Sequence, residues 1–144
     1  MGRRARPNVS RRREPAPFLA HEARLVVGST FVRLHPWFVC TQPNALGLVV
    51  VVNVTDASKA FDKTCIIQAG EHPLILKDSA VYYDLAELLS AASLDTQIKK
   101  GVVKAGPTAS DELMVRIRDG ARDSAHTPDD VRVAVIRCGW KPEP

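Results

Sequence analysis

His35, Thr55 and His72 stand where apolar runs of the chain meet polar ones, the kind of junction at which a rigid scaffold presents a reactive group. His35 lies just before Pro36 and the run Trp37-Phe38-Val39. An imidazole exchanges protons near neutral pH, which makes His35 the first candidate for a general acid or base, against the plainer role of a surface histidine. Thr55 ends the apolar run Leu48–Val54 and is followed by Asp56 and Ser58, so its hydroxyl can contact a phosphate or cap a loop. His72-Pro73 opens a denser group made of His72, Lys77, Asp78, Ser79, Tyr82 and Tyr83. Cations beside aromatic rings suit the phosphates and unstacked bases of single-stranded nucleic acid, and His72, Lys77, Ser79, Tyr82 and Tyr83 are the substrate-binding candidates. A hairpin with one solvated face has the same composition. His126, just before a helix start, is expected to be exposed and is assigned no role.

Other chemistries lack their signatures. The chain has no G-x-G-x-x-G, no P-loop and no H-E-x-x-H, so neither cofactor nor metal is expected. Cys40, Cys65 and Cys138 are widely spaced and form no C-x-x-C pair, which argues against a disulfide framework or a zinc knuckle. Cys40 and Cys65 sit in apolar runs and read as small core residues.

The charge is divided unevenly along the 144 residues. Arg3, Arg4, Arg6, Arg11, Arg12 and Arg13 precede the first acidic residue, Glu14, and exceed the whole formal net charge of +4. Punctuated by Pro7, Pro15 and Pro17, residues 1–20 cannot bury enough apolar surface to offset ordering entropy, and a disordered basic tail is expected. Such a tail serves as a phosphate-neutralising arm or as a solvated leader. No apolar signal region follows the arginines, and the run Leu46–Val52 is far short of the ~20 residues of a membrane span, so a cytoplasmic protein without membrane contact is expected.

Residues 21–144 suit a single domain whose strands must position the candidate groups. Leu25–Val27, Thr30–Leu34, Trp37–Thr41, Thr64–Gln68 and Ser79–Tyr83 are short runs bounded by turn formers, with His72–Leu76 following a turn at Ala69-Gly70-Glu71. Leu48–Val54 is continuous rather than alternating, which predicts a strand buried on both faces at the centre of the fold. Asp56–Asp62 is loop-like, and Asp84–Ala92 reads as a short helix or as a continued strand. Ser110–Ala121 reads as a helix, with Leu113, Met114 and Ile117 on one face, Asp111 and Glu112 in the first turn and Gly120 near its end. Thr127-Pro128-Asp129-Asp130 signals a helix start with Thr127 as cap, while Val131–Cys138 fits helix or strand. The expected class is α+β, mainly β: a small, closed or half-closed barrel with one or two C-terminal helices.

The order of Gly28-Ser29-Thr30-Phe31-Val32, His35-Pro36-Trp37-Phe38-Val39 and Leu48–Thr55 resembles the MazF/PemK group of toxin-antitoxin ribonucleases. Ser79-Ala80-Val81-Tyr82-Tyr83-Asp84 is similar to the later strand that sets the subunit interface in that group. The likeness spans roughly residues 28–121 and rests on short motifs. It implies an SH3-like barrel, a homodimer, a cognate antitoxin protein, and metal-independent cleavage of single-stranded RNA by attack of a 2′-hydroxyl on the adjacent phosphate. His35 replaces the family's arginine before proline, and Thr55 retains its threonine or serine. A histidine gives a weaker, pH-dependent phosphate contact than an arginine. The loop before Pro36 is much shorter than in that group, which implies a more open RNA channel. The segment His72–Tyr83 also resembles a His-Pro-x-Ile-x-x-Asp/Glu-Ser-x-Val-x-Tyr pattern of bacterial proteins, a likeness of fold more than of activity.

Two functions follow as expectations. One is a toxin-like endoribonuclease in which His35 and Thr55 are catalytic, with Lys77 or His72 assisting. The other is a non-catalytic SH3-like module that binds nucleic acid or a protein partner. A structural partner in a larger assembly is a third.

Overall fold

The computed structural model describes residues 25–142, and the expectations for the arginine-rich segment 1–20 lie outside them. Within that range the chain is α+β and mainly β. Its strands are β1 (Thr30–Arg33), β2 (His35–Val39), β3 (Leu48–Asp56), β4 (Ile66–Ile67), β5 (Ser79–Val81), β6 (Glu87–Ser90) and β7 (Lys104–Gly106), and its helices are α1 (Ala91–Lys99), α2 (Asp111–Asp123) and α3 (Asp129–Cys138). The strands pair antiparallel in the order β4-β5-β3-β2-β1-β7, with β6 also on β3; this path is open, with β4 and β7 at its ends.

The valine run explains this layout. Val49 to Val54 is buried throughout, but successive side chains of a strand point to opposite faces. Val50, Val52 and Val54 therefore join one core with Phe38, Ile67, Ile75, Val81, Tyr83 and the apolar faces of α2 and α3. Val49 and Val51 join a second core with Phe31, Trp37, Val39, Leu94 of α1 and Val103. Fully burying a valine contributes about 1.5–3 kcal/mol, so a strand apolar on both faces holds two layers to one spine. Its length lets it serve two partners in succession: Leu48–Val51 pairs with β6, and Val54–Asp56 with β5.

Several boundaries differ from the sequence expectations. The segment Asp84–Ala92 is neither one helix nor one strand. A short 3-10 turn at Tyr83–Leu85 leads into β6, which meets the backbone of Leu48–Val51, and α1 begins only at Ala91. Ser90 caps α1 by accepting from the Ser93 N–H, so the helix starts where the pairing ends. His72–Leu76 is a turn rather than a strand, closed by bonds from the Ile75 N–H to the His72 carbonyl and from the Gly70 N–H to the Ile75 carbonyl. Leu25–Val27 is likewise no strand: the Ser29 N–H reaches the Val26 carbonyl in a turn that sets Gly28 at φ +97°.

The C-terminal helices are both present. Ser110 caps α2 through the Leu113 N–H. Val131–Cys138 is helical, but the cap is Pro128, whose carbonyl accepts from the Arg132 N–H, while the buried Thr127 hydroxyl has no partner among the described residues. The cap falls one residue after Thr127 because Pro128, with φ −59° and ψ 146°, is not yet helical. Arg118 ties the pair to the sheet: it is buried, donates to the carbonyls of Cys40 and Val135, and lies 5.3 Å from the Trp140 ring centre. Among the described residues, no helix is long and apolar enough to cross a membrane.

Candidate functional site

β1 and β2 form a hairpin so tight that Arg33 pairs directly with His35. Leu34 alone makes the tip, at φ +68°, a conformation that non-glycine residues adopt at a cost. The Trp37 indole N–H donates to the Arg33 carbonyl at 3.1 Å and fixes the tip from below. The expected short loop before Pro36 is thus a single residue, and it carries His35 out to solvent.

Thr55 lies near the end of β3, opposite Ala80 of β5. The third wall is the turn that leads from His72 to Lys77. His72 holds that turn: its Nδ1 accepts from the Leu74 N–H at 3.1 Å, which leaves Nε2 to donate to the Pro107 carbonyl at 2.8 Å. The ring also meets Phe38 edge-on at 5.4 Å. Between these walls opens a groove of about 340 Å³, lined by His35, Pro36, Thr55, Asp56, Lys59, Leu76, Lys77 and Ser79 among others. Four residues singled out for their chemistry, His35, Thr55, Lys77 and Ser79, come from three separate segments and line one concavity.

Their states differ. Neither the His35 ring nor the Thr55 hydroxyl holds a hydrogen bond among the described residues, so both are available to a ligand. Lys77 pairs with Asp56, Nζ to Oδ2, at 3.0 Å. Asp56 titrates well below the ordinary carboxylate range, first because Lys77 bonds its charged form and then because the Ser58 hydroxyl and N–H do. Lys77 is 70 % exposed, which leaves its ammonium free to share a second anion. The Ser79 hydroxyl is turned inward and donates to the Lys77 carbonyl at 2.8 Å, bracing the turn.

The remaining candidates are not on this surface. His72 is 3 % exposed with both ring nitrogens committed, so it shapes the groove without lining it. Tyr83 is fully buried and donates to the Ile117 carbonyl at 2.7 Å. Burial pushes its phenol far above the usual value, which keeps it a donor. The 3-10 turn that begins at Tyr83 turns the two tyrosines apart, and only Tyr82 stays half-exposed, edge-on to Phe61 at 5.7 Å. Ser79, Ala80 and Val81 are all buried within this chain between β4 and β3.

Lys59 and Phe61, inside the expected loop Asp56–Asp62, carry no role in the sequence expectations, and Asp56 enters them only as the residue after Thr55. A lone phenylalanine in the polar stretch Asp56–Asp62 was the available signal. Phe61 is 62 % exposed. A larger concavity, about 640 Å³, lies between the 41–46 segment and α3, but its lining holds no histidine and none of the expected residues. No group of described residues has the composition and spacing to hold a metal ion.

No family model, curated protein or solved structure matches this chain, and the groove at His35 and Thr55 is the ground on which its function is argued.

Proposed function

We propose that this chain is a MazF/PemK-like endoribonuclease that cleaves single-stranded RNA in the groove between β2, the end of β3 and the 72–77 turn. The observation that carries the reading is the convergence of His35, Thr55, Lys59 and Lys77 on one open groove. In this mechanism the RNA 2′-oxygen attacks the adjacent phosphorus and the 5′-oxygen of the next nucleotide leaves, giving a 2′,3′-cyclic phosphate. His35 takes the 2′-hydroxyl proton while water protonates the leaving 5′-oxygen, or water takes the first proton and His35 supplies the second. The Thr55 hydroxyl donates to a non-bridging phosphate oxygen, where charge builds up, and Lys59 and Lys77 add positive field. No metal enters the reaction. The same reading takes the open sheet as a partly closed SH3-like barrel working as a homodimer in the cytoplasm and restrained by a cognate antitoxin.

The test is incubation of the purified protein with a mixed RNA pool, with and without a chelator. Expected are 2′,3′-cyclic phosphate ends regardless of chelator, lost in His35→Ala and reduced about 100-fold or more in Thr55→Ala. RNA left intact, or cut equally by His35→Ala, refutes it. One observation favours a second reading, a module that binds RNA or a protein without cutting: no neighbour orients the His35 ring among the described residues. Salt-sensitive RNA binding without cleavage would establish it.

A further inference from the structure

Beyond the groove lies a small aromatic cluster that the cleavage chemistry does not use. Phe61 sits on the segment between the end of β3 and β4, and its ring is largely exposed. Tyr82 meets it at 5.7 Å and 87°, and His126, arriving from the turn before α3, meets it at 4.8 Å and 85°. Both neighbours stand perpendicular, so no ring lies parallel over Phe61, while contact from two sides limits its rotamers. The support under the cluster is rigid. Asp62 is 5 % exposed and accepts from the Thr64 N–H, the Thr64 hydroxyl and the Ser124 hydroxyl at 2.7 Å, which ties the Phe61 segment to the end of α2.

The cluster is continuous with the groove. A pocket of about 70 Å³ at the foot of Phe61 is lined by Thr55, Lys59, Ala60, Asp62, Val81 and Tyr82. Thr55 and Lys59 line both concavities, so a strand whose phosphate rests at Thr55 passes Lys59 and reaches Phe61 next. Lys59 is exposed and held in no ion pair among the described residues. An exposed aromatic ring with a free cation beside it is the combination that holds unpaired bases, since every base offers a π-face and every nucleotide a phosphate.

We infer that Phe61, braced by Tyr82 and His126, is a stacking platform for an unpaired nucleobase next to the phosphate held at Thr55 and Lys59. This rests on the groove being an RNA site, and the two can be tested apart. Binding is measured by fluorescence anisotropy with labelled oligouridylate and oligoadenylate, and with a strand of equal length that lacks bases. Phe61→Ala should weaken both base-bearing strands about 5- to 100-fold and leave the abasic strand unchanged. Phe61→Trp should keep affinity, and its added indole emission should be quenched on binding. Lys59→Ala, by contrast, should weaken all strands alike and lower the salt dependence. Because Phe61 is exposed, its truncation should leave the thermal midpoint in place. Equal affinity of Phe61→Ala and unaltered protein for base-bearing strands, with Lys59→Ala still impaired, overturns the platform alone and leaves the ring to a protein partner. Failure of the unaltered protein to bind any strand removes both the platform and the groove reading.

Discussion

Tyr83→Phe separates a packing role from a substrate role with the loss of a single oxygen. The hydroxyl donates to the Ile117 carbonyl at 2.7 Å within α2, in a place with no solvent access. A buried neutral hydrogen bond contributes about 1 kcal/mol net, and the Ile117 carbonyl keeps its place in the helix ladder. The expected loss is therefore about 1 kcal/mol, a midpoint lower by roughly 3–5 °C for a domain of this size. Gly120 makes the test stricter. In an isolated helix, Gly→Ala gains about 1 kcal/mol. Here a Cβ on Gly120 would collide with the Tyr83 hydroxyl and stand 2.7 Å from its Cζ and 3.0 Å from Cε2. Overpacking of this kind costs about 1–3 kcal/mol, and moving the ring also breaks its hydrogen bond, so Gly120→Ala should lose about 1–3 kcal/mol overall. In the double variant the hydroxyl is already gone, so the two losses should sum to less than their parts by about 1 kcal/mol. Thermal and urea unfolding of the four proteins, with RNA affinity measured beside them, reads all of this. A raised midpoint in Gly120→Ala, or weaker RNA binding by Tyr83→Phe at an unchanged midpoint, would refute the buried placement of Tyr83.

The groove and the core make further predictions. Asp56→Asn should release Lys77 and steepen the salt dependence of RNA binding by up to about one phosphate contact, as a titration of affinity against salt would show; an unchanged slope would mean that the pair with Asp56 does not limit how Lys77 meets phosphate. For Asp62, burial opposes the charge, but the bonds from Thr64 and Ser124 outweigh it, and Asp62, Asp56 and Glu71 all titrate below their ordinary values. A depressed folded-state value stabilises the protein fully above the unfolded value and fades as pH falls through it, so stability should be level near neutrality and decline below about pH 4. Asp62→Asn should flatten that decline in urea unfolding across pH. Burial pushes the Cys40 thiol up to about 12, with Arg118 pulling the other way, and it raises Cys65 as well. Alkylation of the native protein at mildly alkaline pH, followed by mass spectrometry, should therefore modify the partly exposed Cys138 first; equal labelling of Cys40 would contradict its burial.

The parts of the fold legible in the sequence are those decided by local chemistry. The run Leu48–Val54, apolar except for Asn53, allows only a buried strand or a buried helix segment, and its β-branched residues select the strand. Ser110 with Asp111 and Glu112 after it specifies a helix start through backbone N–H groups close in sequence. What the sequence left open depends on partners distant along the chain. Glu87–Ser90 has helix-compatible residues, but the backbone of Leu48–Val51 needs a neighbour, and that demand overrides propensity. The turn at His72–Leu76 is set by the Pro107 carbonyl, thirty-five residues away.

The same distinction governs the site. Composition brings His72, Lys77, Ser79, Tyr82 and Tyr83 together in the chain, yet composition cannot say which way a side chain faces. The 3-10 turn that follows β5 sends Tyr83 to the core and leaves Tyr82 half-exposed, and a turn folded over Phe38 draws His72 inward. His72, expected among the substrate-binding residues, is a clamp, and its effect reaches the groove through Lys77, five residues on. The exposed His35 depends on a different device, a one-residue hairpin tip whose left-handed leucine lets β1 reverse without a loop to cover the groove. Openness at His35 and rigidity at His72 are thus two consequences of short connections. Together they give a groove with fixed walls and an uncovered mouth, a shape that, under the proposed function, an extended strand would enter from the side rather than by threading.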